Sequence, residues 1–234
     1  MRPSRVQLPS VPSSSVPYGL AALGFLLLLV GSCWGLFFAP GEQYMGNVQR
    51  IMYIHVPTAW HAMLAPTFGF ICAVYSLNTS QWRWDARLEA AIEVSLVLGV
   101  LTCIQGSIWA RPTWGVWWDW DPRLTTMAVL VFALAGLVAL RGFVDDPVKR
   151  AAWSAVAMII VAADVPLTYM SVKWWNSLHQ DQSSPATVSA AFRLPLRINA
   201  FGVLFLMIGL LGLRTRIAAL RLRTELAPPP EGSA

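Results

Sequence analysis

Six apolar runs of about bilayer length leave this chain few ways to fold. They occupy residues 18–39, 58–77, 88–109, 124–140, 151–171 and 198–213. Hydrocarbon offers no partner to a backbone N–H or C=O. A run of roughly 20 apolar residues must therefore close its hydrogen bonds within itself, as a helix. Composition agrees: 56% of the 234 residues are hydrophobic and 12% charged, more apolar surface than a soluble core of that size hides. The first run is too long for the apolar stretch of a signal peptide. Residues 37–41, Phe-Phe-Ala-Pro-Gly, also lack the small side chain that cleavage needs three positions upstream. The expected fold class is an all-α integral membrane protein of six transmembrane helices. A flexible tail is expected over 1–17, a membrane domain over 18–214, and a basic, then Pro-rich tail over 215–234.

With six spans, both termini lie on one side. That side carries eleven basic residues: Arg2, Arg5, Arg83, Arg87, Arg141, Lys149, Arg150 and four arginines from Arg214 to Arg223. The other carries six: Arg50, Arg111, Arg123, Lys173, Arg193 and Arg197. Cytoplasmic loops hold the excess of Lys and Arg, so both termini are expected in the cytoplasm. The net charge of +5 thus reads as topology rather than affinity for nucleic acid. His55, residues 114–125 and His179 then fall in the three outward loops, facing one compartment.

Residues 114–125 read Trp-Gly-Val-Trp-Trp-Asp-Trp-Asp-Pro-Arg-Leu-Thr, with four tryptophans and two aspartates. Ordinary turns carry no such aromatic load. If 114–121 is helical, at about 100° per residue, Trp114, Trp117 and Trp118 share a face, Trp120 flanks it and Asp119 points away. That describes a short amphipathic segment lying on the outer membrane surface. Asp121 is placed to cap a helix beginning at Pro122. Trp collects at membrane surfaces in any case, but generic belts populate both interfaces. Here nine tryptophans lie near the outer surface and three near the inner one. The excess marks an aromatic site facing outward.

A lone histidine in a loop is usually just solvated. Two on one side, flanking a tryptophan plane, are a different matter. Neutral imidazole is the common protein ligand of heme iron, and a pair from opposite faces would cap a flat macrocycle. His61, about 240° around a helix from His55, cannot share its face and reads as structural. Arg50, Arg111 and Arg123 are the outward candidates to pair with propionates, because guanidinium matches carboxylate. Asp164, inside the fifth run, marks either a functional site or a group satisfying backbone freed by Pro166. Cys33, Cys72 and Cys103 lie in apolar runs with no Cys-x-x-Cys spacing. They read as inert buried thiols, offering neither a zinc site nor covalent heme attachment.

Residues 114–125 resemble the tryptophan-rich WWD signature of the heme-handling protein family of cytochrome c maturation. Residues 54–57, Ile-His-Val-Pro, and 171–180, Ser-Val-Lys-Trp-Trp-Asn-Ser-Leu-His-Gln, resemble its two histidine-bearing outer segments. The resemblance covers 18–214 and fits the short, six-span branch; larger members carry the motif on more spans. It implies a multi-pass protein of the bacterial inner membrane, without catalysis of its own, that holds heme b non-covalently and in transit. The axial ligands implied are His55 and His179. Trp114, Gly115, Trp117, Trp118, Asp119, Trp120 and Asp121 form the implied heme platform and chaperone contact. The implied partners are a periplasmic heme chaperone (the E component), the ATP-binding and membrane subunits of an ABC complex (A and B) and a small D subunit. The chain has no phosphate loop of its own, as energy coupling by a partner requires. Three other readings are weighed, one of them a membrane b-type cytochrome subunit, which usually wants histidines within its spans where this chain has none mid-span. A heme-translocating channel would need polar lining across several spans, and a scaffold would carry no ligand at all.

Overall fold

A computed structural model of the chain describes residues 9–180, 183 and 188–227. The ends of both expected tails, 1–8 and 228–234, lie outside the described residues. The described chain is all-helical: α1 (Ser15–Cys33), α2 (Met52–Thr79), α3 (Trp82–Trp114), α4 (Pro122–Phe143), α5 (Pro147–Ala162), α6 (Asp164–Trp174) and α7 (Ala190–Glu225). A π-helical turn, Trp34–Phe38, extends α1, and a 3-10 turn, Asn47–Ile51, leads into α2. Six segments are long and apolar enough to cross a membrane, with α5 and α6 together forming the fifth, Pro147–Trp174. The break between them falls at Ala163, where Pro166 has no N–H to give the Ala162 carbonyl. Asp164 sits at this break and accepts the Thr168 hydroxyl at 3.0 Å.

The core lies between α2, α3, α4 and α5, where Ala62, Cys72, Leu88, Ile92, Leu130, Leu134, Ala155 and Met158 are buried together. Against lipid, burial of apolar groups gains little, so close fit and polar bonds hold the helices. The first helix shows the close fit. A Cβ on Gly24 would lie 2.7 Å from the Gly202 carbonyl and 2.8 Å from the Leu206 Cα, so only Gly lets α1 lie this close to α7. Of the cysteines, Cys72 is buried as expected, Cys103 is half-buried and Cys33 is exposed on α1, which corrects its reading as a buried thiol.

The polar bonds gather at the end of the bundle where α3 begins. Arg141 of α4 holds Asp85 through two bonds, 2.8 and 3.1 Å, and Glu89 at 2.7 Å. Arg221 of α7 reaches the same Glu89 at 2.8 Å. Arg214 pairs with Glu93, and Arg150 of α5 with Glu225. Helix α7 therefore continues well past residue 215, where the sequence suggests a tail. Ala218, Ala219 and Leu222 bury themselves there against Ala86 of α3.

Candidate functional site

The other end of α3 opens onto a partly open cavity of about 270 Å³. Its walls come from α2, α3, α4, α6 and the loops between them. His55 and His179 both line it. These residues are 124 positions apart by number, and the fold brings them to one space. Trp60, Trp109, Trp114 and Trp118 give it indole walls, Met63, Leu124 and Met127 an apolar floor, and Arg123 a cation.

His55 does not end a loop, as the sequence suggests. It sits in the first turn of α2, 7% exposed, because helix forms upstream of Pro57. Proline in a membrane helix is tolerated where neighbours satisfy the freed backbone, and Pro57 therefore marks no boundary. The His55 ring meets Trp109 edge-on, centroids 5.6 Å apart at 83°. Its Nδ1 is buried with no partner among the described residues. A Cβ on Gly106 would lie 3.2 Å from its Cε1 and 3.9 Å from Nε2, so the missing side chain keeps that edge open. His61, by contrast, donates from Nδ1 to the Pro57 carbonyl at 2.7 Å and does not line the cavity.

His179 lies in the loop between α6 and α7. Its Nδ1 donates to the Gln180 carbonyl at 2.8 Å, leaving Nε2 as the nitrogen with a lone pair. Burial holds its pKa below the usual value, and the nearby Arg123 cation acts in the same sense against the Gln180 carbonyl and Asp121. Both conditions favour neutral imidazole, the form that binds iron.

The tryptophan segment is not a helix. Helix α3 runs to Trp114 and stops because Gly115 adopts φ +81°, the left-handed conformation that closes helices. Arg111 donates a side-chain bond to the Gly115 carbonyl and secures that stop. The stretch 116–121 is irregular, so Trp114, Trp117 and Trp118 do not share a helical face. Trp114 and Trp118 line the cavity, whereas Trp117 and Trp120 are 60% and 73% exposed. Trp118 packs edge-on against Trp120, centroids 5.8 Å apart. Asp119 is exposed. Asp121 is buried and caps α4, accepting the Arg123 N–H at 2.8 Å, as its place before Pro122 predicts.

Among the three arginine candidates, the cavity wall contains Arg123 alone. Its Nη1 donates to the Thr168 and Tyr169 carbonyls at 3.0 and 3.2 Å. Arg50 is committed elsewhere: it bonds Asn47, Gly35 and Ala39 and ties the end of α1 to the start of α2. Sequence reasoning missed Gly106, Trp109 and Tyr169. The Gly and the Tyr carry no signal in a helix, while Trp109 looked like one more interfacial tryptophan.

Apolar walls, indoles, two imidazoles and one guanidinium suit a flat, metal-centred, carboxylate-bearing ring. Fold and cavity together define a polytopic membrane protein with a two-histidine, tryptophan-walled site at one end. The family model for heme exporter protein C matches residues 7–227. Heme exporter protein C of Bradyrhizobium diazoefficiens is 36% identical over 214 residues, covering 88% of this chain and 80% of the relative. That of Escherichia coli K12 is 34% identical over 198 residues, covering 84% and 81%. That of Rhodobacter capsulatus is 30% identical over 215 residues, covering 89% and 88%. The chain belongs to the heme exporter protein C family, whose role is heme export in cytochrome c biogenesis. It is a multi-pass protein of the inner membrane.

Proposed function

We propose that this chain binds heme b at its outer end and delivers it to a periplasmic heme chaperone. The observation that carries this is the meeting of His55 and His179 on one tryptophan-walled cavity. His55 and His179 supply the axial nitrogens, Trp114 and Trp118 the wall against which the ring lies, and Arg123 a charge for a propionate. Trp117, Trp120 and Asp119 form the exposed surface that the chaperone meets. An ATP-binding-cassette pair and a small subunit act beside the chain, which performs no catalysis itself. The cavity faces the periplasm and the ion-pair end the cytoplasm, following the excess of basic residues on the terminal side.

An optical spectrum of the purified, heme-loaded protein tests the ligands. His55→Ala and His179→Ala should each lose the low-spin bis-imidazole spectrum, and His61→Ala should keep it. Loss in His61→Ala with retention in His55→Ala would overturn the assignment. Reporter fusions test the orientation: those near Trp117 should read periplasmic, those after Arg150 cytoplasmic. The opposite pattern refutes it.

A further inference from the structure

We infer that Asp121 is a positioning residue for His179, holding the loop that carries this ligand against the fixed end of α4. The inference rests on His179 binding iron. Asp121 is 4% exposed, and its two oxygens divide their bonds between two parts of the chain. Oδ1 accepts the Arg123 N–H at 2.8 Å, which is the helix cap, and also the Ser177 hydroxyl at 3.0 Å. Oδ2 accepts the Leu178 N–H at 2.6 Å. Ser177 Oγ in turn accepts the His179 N–H at 3.1 Å, so a chain of bonds runs from the carboxylate to the backbone of the histidine.

A cap alone does not explain this residue. Ser, Thr or Asn caps a helix about as well as Asp, but a hydroxyl would be too short to serve both the cap and the loop. The loop needs the second anchor, since it lies between Trp174, which ends α6, and Ala190, which begins α7. A ligand on an irregular segment is held only as well as the bonds that fix that segment. Loss of such outer partners weakens metal sites by about 10- to 100-fold.

The test uses full-length protein purified in detergent and loaded with heme. Asp121→Ser keeps a capping hydroxyl for α4 and gives up the bonds to Ser177 and Leu178. Ser177→Ala, remote in sequence, breaks the relay and leaves the cap intact. Both variants should retain heme on His55 yet lose low-spin character, with heme affinity for Asp121→Ser down about 10- to 100-fold. Added imidazole should restore the low-spin spectrum in both, as it should in His179→Gly. A merely structural role would lower heme content without that rescue. Wild-type spectra in both variants, or losses that imidazole does not restore, overturn the proposal. If Asp121→Ser does not fold, Ser177→Ala decides alone. If His179→Gly keeps the native spectrum, the ligand assignment itself has failed, and this outcome is distinct from the others.

Discussion

His55 stands edge-on to Trp109, with ring centroids 5.6 Å apart and planes at 83°. This contact orients the imidazole in place of the hydrogen bond that a metal-binding histidine usually gives through its other nitrogen. Nδ1 of His55 finds no such acceptor among the described residues, whereas Nδ1 of His179 has the Gln180 carbonyl. The two rings are therefore held by different means, one by packing and one by hydrogen bonds.

Packing control makes Gly106 sensitive. A Cβ there meets His55 Cε1 at 3.2 Å, tighter than ordinary contact, and a branched side chain would push the ring off its line. Overpacking costs about 1–3 kcal/mol, which corresponds to roughly 5- to 150-fold in affinity. Gly106→Val should weaken heme binding within that range and mimic His55→Ala in part, while Gly106→Ala should do less. Heme titration measures both. Unchanged affinity in Gly106→Val would show that the Nε2 edge does not face the ligand.

The tryptophans should separate into two groups. Trp114 and Trp118 line the cavity, so replacement by Ala removes ring contact worth about 1–3 kcal/mol and should lower heme per polypeptide. Trp117 and Trp120 are mostly exposed. Their Ala variants should bind heme normally and fail at transfer to the chaperone. Covalently loaded chaperone, assayed beside heme content, distinguishes the groups. Equal heme loss in all four variants would contradict the division.

This division marks where the sequence stopped being legible. Apolar runs gave the six spans because a bilayer permits so little else, and charge gave the expected orientation. The pairing of His55, His179 and the tryptophans followed from their falling on one side. Helical spacing, however, put Trp117 on the platform, because no periodicity reveals that Gly115 adopts a positive φ and ends the helix there. Likewise Arg50, Arg111 and Arg123 look alike as residues. What separates them is which carbonyls lie within reach, and only tertiary structure fixes that. The partners of Glu89 and Glu93, more than 50 residues away, are hidden for the same reason.

Acid should release the heme. His179 has a pKa below its usual value of 6.5, with burial the leading cause. The folded chain thus keeps this ring neutral at pH 7, and an unfolded chain would take up a proton first. The stability gained from the neutral ring is complete above 6.5 and is lost as pH falls through the lower folded-state value. Protons compete with iron for the same nitrogen, so bound heme should persist from pH 7 to 8 and fall away in mild acid. A spectral titration measures it. Release on raising the pH from 7 to 8 would contradict a neutral ligand.

The ion pairs at the far end should govern stability without touching the heme. The Arg141 side chain is 6% exposed, and Asp85 and Glu89 are 2% and 5% exposed. Removing the arginine strands the Asp85 carboxylate away from water and leaves Glu89 to Arg221 alone, and breaking a buried pair in this way costs about 3–5 kcal/mol. Arg214 and Glu93, at 35% and 28%, sit where water and counterions can compensate, and such a pair is worth roughly 0–1 kcal/mol. Arg141→Ala should therefore lower the thermal midpoint of the detergent-solubilised protein far more than Arg214→Ala. Below its midpoint, Arg141→Ala should still show the native heme spectrum, because α3 separates residues 85–93 from the cavity by two further helical turns. Equal midpoints for the two variants would mean that the buried network is not what fastens α3, α4 and α7 together. A changed spectrum in a still-folded Arg141→Ala protein would mean that the two ends of α3 are coupled.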